Sequence, residues 1–131
     1  MTLVDTSVWI AMLRKSRPLD LETTVDFPEI VTCLPIIQEL LQGIRDEHSF
    51  RLFRNALLSL PILETPLDEQ VFCEAADLFR AARRAGQTIR SSTDCLIAAC
   101  AIRHDALLLH RDRDFKALAA ISPLREHSLA P

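Results

Sequence analysis

The sequence predicts an α/β fold, a three-layer α/β/α sandwich around a central, mainly parallel sheet of about five strands. Three observations carry this. Short β-branched apolar runs alternate along the chain with longer stretches of helical period. The connecting segments have helical length, and crossovers of that length join parallel neighbours rather than hairpins. Finally, 131 residues that are 49% apolar and 25% charged, without repeats or low-complexity tracts, suit one compact domain spanning 1–131.

The elements follow in order. Thr2 to Asp5 reads as a buried strand running directly into a helix at Ser7 to Leu13, with Thr6 or Ser7 able to cap it. The polar stretch Arg14 to Pro28 crosses the surface. Glu29 to Leu34 is a second short strand, and Pro35 suits the first position of a helix whose Ile36, Ile37, Leu40, Leu41 and Ile44 recur at helical spacing. Asp46 to Leu60 carries Phe50, Phe53, Leu57 and Leu58 at the same spacing, and Pro61 to Leu63 is a brief strand. Thr65-Pro66-Leu67-Asp68 then resembles a capping box with proline at the first helical position. The long helix it opens has an apolar face of Val71, Phe72, Ala75, Leu78, Phe79 and Ala82, holds Arg83 and Arg84 in its last turn, and ends at Gly86. After a polar loop, Thr93 to His104 is apolar nearly all round, which predicts a central, covered helix. Ala106 to Leu109 is another buried strand, Asp112 to Ala120 a short helix, and Leu124 to Leu129 an edge strand.

Composition excludes several functions. Two glycines, Gly43 and Gly86, cannot write a G-x-G-x-x-G loop or a P-loop. Cys33, Cys73, Cys95 and Cys100 contain no C-x-x-C pair and read as reduced, mostly buried thiols rather than a disulfide framework or zinc ribbon. The longest apolar run, Cys95 to Ile102, is eight residues. A bilayer requires about 20. Asp5 interrupts the apolar N-terminus too early for a signal peptide, so no membrane association and a cytoplasmic location are expected. Net charge is −3, which alone opposes a nucleic-acid partner, yet 13 of the 15 basic residues are arginine, the better bidentate phosphate ligand.

The placement of certain carboxylates is the informative feature, because charges are rarely buried unless paired or bound to metal. Asp5 ends the first apolar strand, and ligands of open parallel sheets collect outside strand carboxyl ends. Asp94 is the only charge between Arg90 and Arg103 and sits in the first turn of the most apolar helix. Asp112 follows the strand Leu107 to Leu109 by three residues. Each has a simpler reading: Asp94 as the third residue of a capping box begun by Ser91, Asp112 as a helix cap, Glu39 as a solvated neighbour of Gln38 and Gln42, and Asp5 as half of an ion pair. Together they predict a pocket in which carboxylates repel and a cation neutralises them. Oxygen ligands without a histidine set favour Mg²⁺ or Mn²⁺. Setting the four acids aside leaves 14 acidic against 15 basic residues, a surface compatible with nucleic acid.

Four motifs, in this order and at this chain length, resemble the PIN-domain ribonucleases, and more narrowly the VapC-type toxins of type II toxin–antitoxin systems. They are Val4-Asp5-Thr6-Ser7-Val8-Trp9-Ile10, Gln38-Glu39-Leu40-Leu41-Gln42-Gly43, Thr93-Asp94-Cys95-Leu96-Ile97-Ala98-Ala99 and His110-Arg111-Asp112-Arg113-Asp114-Phe115. The resemblance implies a PIN-like sandwich, Mg²⁺- or Mn²⁺-dependent endoribonuclease activity on RNA, homodimerisation or a toxin–antitoxin hetero-oligomer, and a small cognate antitoxin of VapB type. It transfers site roles to Asp5, Glu39 and Asp94. For the fourth acid it offers Asp112 and Asp114; Asp112, nearer the strand end, is preferred, with Asp114 expected to face solvent or pair with an arginine. Ser7 matches a small polar position near the metal.

On this reading Asp5, Asp94 and Asp112 hold metal, Glu39 ligates it or orients the attacking water, and Arg90, Arg111 and Arg113 flank the site, either to contact RNA phosphates or to form structural ion pairs with nearby acids. His110 is expected to be a surface neighbour of the acidic motif. A haloacid-dehalogenase-type phosphatase would need a second aspartate where Ser7 stands, and a phospho-acceptor receiver domain a late lysine that Lys116 does not provide. A PIN nuclease of RNA processing, or a silent PIN-like binding module, shares the same motifs.

Overall fold

The structure, a computed structural model, describes residues 1–130; Pro131, the last residue of the predicted domain, lies outside the described residues. Five strands, β1 (Thr2–Val4), β2 (Ile30–Cys33), β3 (Ile62–Leu63), β4 (Leu107–His110) and β5 (Arg125–Ser128), form one sheet in the order β3-β2-β1-β4-β5. Every pairing is parallel. β1 is central, with Leu3 opposite Val31 on one side and Leu108 on the other. Its Leu3 and Val4 are fully buried, as a strand covered on both faces must be.

Six α-helices connect the strands: α1 (Thr6–Met12), α2 (Leu34–Gly43), α3 (Glu47–Leu58), α4 (Glu69–Arg84), α5 (Ser92–Arg103) and α6 (Arg113–Ala120). The chain steps outward from β1 to β2 to β3, then returns past β1 to β4 and on to β5. With right-handed crossovers, this reversal puts α1 to α3 on one face and α4 to α6 on the other. The carboxyl ends of β1 and β4, where the order reverses, flank the crevice that suits a ligand.

Local chemistry explains the boundaries. α1 is capped by Asp5, whose carboxylate accepts from the Ser7 amide at 3.0 Å, rather than by Thr6 or Ser7 as the sequence predicts. Asp5 is the one residue between the strand and the helix, so its side chain is the one that reaches back. α4 begins three residues later than predicted, because Asp68 rather than Thr65 caps it through the Val71 amide. Residues before Asp68 form a turn around Glu64, which adopts a positive φ of 54° and is held by Arg103 and His104 at 2.8 Å each. Gly86 ends α4 at φ 79°, where a β-carbon would be strained, and the Gln87 amide returns to the Ala82 carbonyl at 2.9 Å.

α5 is the central helix its composition predicts: Ile97, Ala98, Cys100 and Ala101 are fully buried. Cys33, Cys95 and Cys100 are buried free thiols, and Cys73 is exposed. The predicted surface segment 14–28 holds one short 3-10 turn, Leu21–Thr23, and a second, Phe27–Glu29, spans its end. No helix among the described residues is long and apolar enough to cross a membrane.

One core feature yields a stability test. Thr32, on β2, is fully buried and its hydroxyl has no hydrogen-bond partner. Replacing it with the isosteric Thr32→Val removes an unpaid desolvation cost, so urea unfolding is expected to show a gain of about 1 kcal/mol. A loss of stability would mean that the hydroxyl has a partner.

Candidate active site

The site is assembled at the carboxyl edge of the sheet from four turns. Asp5, at the β1–α1 junction, is 3% exposed. Its Oδ2 accepts from the Ser7 amide and the Ser7 hydroxyl, while Oδ1 is buried with no partner. Burial pushes its carboxyl above the ordinary carboxylate range, an effect only partly offset by the Ser7 hydrogen bonds. Ser7 Oγ also accepts from the Arg111 amide at 3.0 Å, which ties the β1–α1 turn to the β4–α6 turn.

Glu39 reaches the same region from α2. Its Oε1 accepts from the Thr6 hydroxyl at 3.1 Å, so it is anchored rather than freely solvated. Partial burial raises its proton affinity, and the charges of Asp5 and Asp112 raise it further. Thr6 is a site residue that sequence reading treats only as a helix cap; its place beside Asp5 was the available signal.

Asp94, in the first turn of α5, is 7% exposed. Ser91 occupies the N-cap position without a side-chain hydrogen bond, so the capping-box alternative for Asp94 is not realised. Burial, followed by the charges of Asp112, Asp5, Glu39 and Asp114, pushes the Asp94 carboxyl up to about 8.

The structure brings both candidates for the fourth acid to the site. Asp112 caps α6, accepting at Oδ1 from the Asp114 amide at 3.0 Å and from Arg90 Nη2 at 2.8 Å. Asp114 was expected to face solvent or pair with an arginine. It pairs with Arg90, but points inward and is 3% exposed. The first turn of α6 directs it there: its Oδ2 accepts from the Arg90 amide at 3.0 Å and from Arg90 Nε at 3.3 Å. Asp94, Asp112 and Asp114 each present one carboxylate oxygen within 4.8 Å of the others. Asp5 and Glu39 stand outside this tightest trio, close enough for their charges to act on Asp94. His110, expected at the surface, is fully buried instead, because it belongs to β4 rather than to the turn beyond it. Beside the acids, Ser7, Arg90, Arg111, Asp112, Arg113 and Ala130 line a cleft.

The donor set fits a hard divalent ion. All candidate ligands are carboxylate oxygens, one of them buried and unpartnered, and the repulsion that adds to burial in raising Asp94 is relieved by a cation.

A PIN domain family model matches residues 2–121. A VapC ribonuclease of Mycobacterium bovis and Ribonuclease VapC11 of Mycobacterium tuberculosis are each 39% identical to the chain, over 98% of both sequences. The chain is a PIN domain of the VapC ribonuclease family. Solved structures agree on the fold of this PIN domain. VapBC-5 from Mycobacterium tuberculosis superposes with a TM-score of 0.72 at 23% identity, covering 98% of each chain. DNA-bound VapBC from Salmonella typhimurium gives 0.76 at 16% identity, covering 97% of this chain and 96% of that one.

The raised Asp94 carboxyl has a thermodynamic consequence. Between the ordinary value of 3.8 and about 8, the folded PIN domain retains a proton at Asp94 that the unfolded chain has released. Metal-free stability therefore falls as pH rises through that window. Asp94→Asn is expected to lessen this slope and to be more stable than the wild type at pH 8 by about 1–3 kcal/mol, the two converging near pH 4 in calorimetric or urea unfolding. Equal pH slopes would show that the Asp94 carboxyl is not raised above its ordinary range.

Proposed function

We propose that this PIN domain is a divalent-metal-dependent endoribonuclease, the toxin of a VapBC-type system, restrained by a cognate VapB-type antitoxin. The carrying observation is the trio Asp94, Asp112 and Asp114, the first and last of them buried, beside the unpartnered Asp5 oxygen, a concentration of negative charge in the crevice of a ribonuclease-family fold.

Asp5, Asp94 and Asp112, joined by Asp114, would hold Mg²⁺ or Mn²⁺. When bound, such an ion polarises the scissile phosphate and offsets the charge that develops in an in-line displacement. Glu39, with raised proton affinity and its Oε1 fixed by Thr6, is suited to orient the attacking water and take up its proton. Water adds to phosphorus as the bridging P–O bond breaks, and the leaving oxygen is protonated from solvent. Arg111 and Arg113 line the cleft beside Asp112 and provide cationic partners for the RNA backbone. Arg90 contributes there too, but is also tied to Asp112 and Asp114, where it moderates their repulsion. The domain works as one unit over 1–131, in a homodimer or a toxin–antitoxin hetero-oligomer.

Cleavage of RNA by the purified protein is expected to require Mg²⁺ or Mn²⁺ and to fall at least about 100-fold in Asp5→Asn and in Asp94→Asn, the scale seen when a principal charge-stabilising group is lost. Undiminished cleavage by both variants would remove their proposed roles. For the partner, co-expression with a small protein encoded beside this gene is expected to yield a stable complex and relieve growth arrest. Arrest with no such neighbour encoded would favour RNA processing over a toxin role.

A further inference from the structure

His110 ends β4 with no exposed surface. A buried imidazole is tolerated when both ring nitrogens find partners, and here both do. Nδ1 lies 3.1 Å from the Asp112 backbone nitrogen, whose N–H can only donate. Nδ1 therefore carries the lone pair, and the ring proton resides on Nε2. Nε2 lies 2.6 Å from Glu126 Oε2 on β5 and donates to it. The contact is thus a hydrogen bond from a neutral ring to a carboxylate, and it selects one tautomer. Phe115 packs against the imidazole, with ring centroids 5.1 Å apart and planes tilted by 55°.

These contacts form a chain that ends in the acid cluster. β5 runs parallel to β4 with Glu126 opposite Leu108 and Ser128 opposite His110, a register that brings the Glu126 carboxylate to the ring. The ring then holds the amide of Asp112, the residue that caps α6 and belongs to the carboxylate trio. Neither His110 nor Glu126 has a place among the carboxylates themselves.

We propose that Glu126 and His110 are positioning residues of the metal centre: acting through the Asp112 backbone amide, they set the β4–α6 turn and thereby the affinity for a divalent ion. This rests on the reading of the acidic cluster as a metal centre. Outer partners of ligand groups commonly change metal affinity about 10–100-fold when lost. Glu126 provides only an acceptor oxygen for Nε2–H, so its charge is dispensable and its geometry is not. His110 provides only an acceptor for the Asp112 amide, a part that Asn Oδ1 can take from the same side-chain position.

The test uses the full chain, with Mn²⁺ affinity measured by calorimetry and folding followed by circular dichroism. Glu126→Leu is expected to bind Mn²⁺ about 10–100-fold more weakly than the wild type, whereas Glu126→Gln remains close to it. His110→Asn is expected to retain most of the affinity, and adding Glu126→Leu to it to cost nothing further, because Glu126 acts through the ring. Glu126→Ala serves as a second removal at this partly exposed edge position should Glu126→Leu not fold. Nitrogen-15 NMR of the wild type is expected to show a His110 ring protonated at Nε2 alone. Wild-type affinity in folded Glu126→Leu or Glu126→Ala, equal weakening by Gln and Leu, or a ring protonated at Nδ1 would overturn this inference alone. Failure of the wild type to bind Mn²⁺ would overturn the metal-centre reading and this inference with it.

Discussion

Like charges gathered where a parallel sheet reverses its strand order are the constraint around which this PIN domain is built. Asp94, Asp112 and Asp114 approach within 4.8 Å, and Asp5 and Glu39 add their fields from adjoining turns. Packing elsewhere must outweigh this, since no cation but Arg90 is paired with the trio among the described residues. The buried stretch of α5 and the doubly covered β1 provide that packing. The candidate site lies where the fold is least content with its charge.

The other end of α5 shows how the same chain treats charge that has no such role. Arg103 bonds Glu74 at 2.7 Å and Glu64 at 2.8 Å, and Glu64 also takes His104. Every one of these carboxylates has a basic partner close by, and the network secures the turn into α4. One helix therefore begins at an electrostatically frustrated terminus and ends at a satisfied one. Burial alone does not separate them; pairing does.

The site is held by short polar links between elements distant in sequence rather than by a single rigid segment. Ser7 joins the turns after β1 and β4, Thr6 restrains Glu39 on α2, and Arg90 spans Asp112 and Asp114 on α6. Together these links fix the orientations of the carboxylates they reach, which limits the reorganisation needed on binding a cation or a phosphate.

The order of elements, the parallel sheet and the covered central helix were legible in the sequence, because hydrophobic periodicity and crossover length are local properties. The choice of Asp5, Asp94 and Asp112 came equally from local signals, an acid at a strand end or the lone charge on an apolar helix, whereas Glu39, locally a solvated neighbour of Gln38 and Gln42, came from the resemblance of its motif. What tertiary structure decided was which polar atoms meet. Asp114 turns inward because the Arg90 amide, 24 residues away, awaits it; His110 is buried because β5 closes over it with Glu126; the Asp94 carboxyl is raised because it is buried beside acids from three other elements. Periodicity records which side of an element faces the core, but a hydrogen-bond partner supplied from another strand leaves no trace in the residues nearby. The sequence by itself therefore determined the scaffold and the kind of chemistry, and only the assembled fold determined which carboxylates stand together and what holds them.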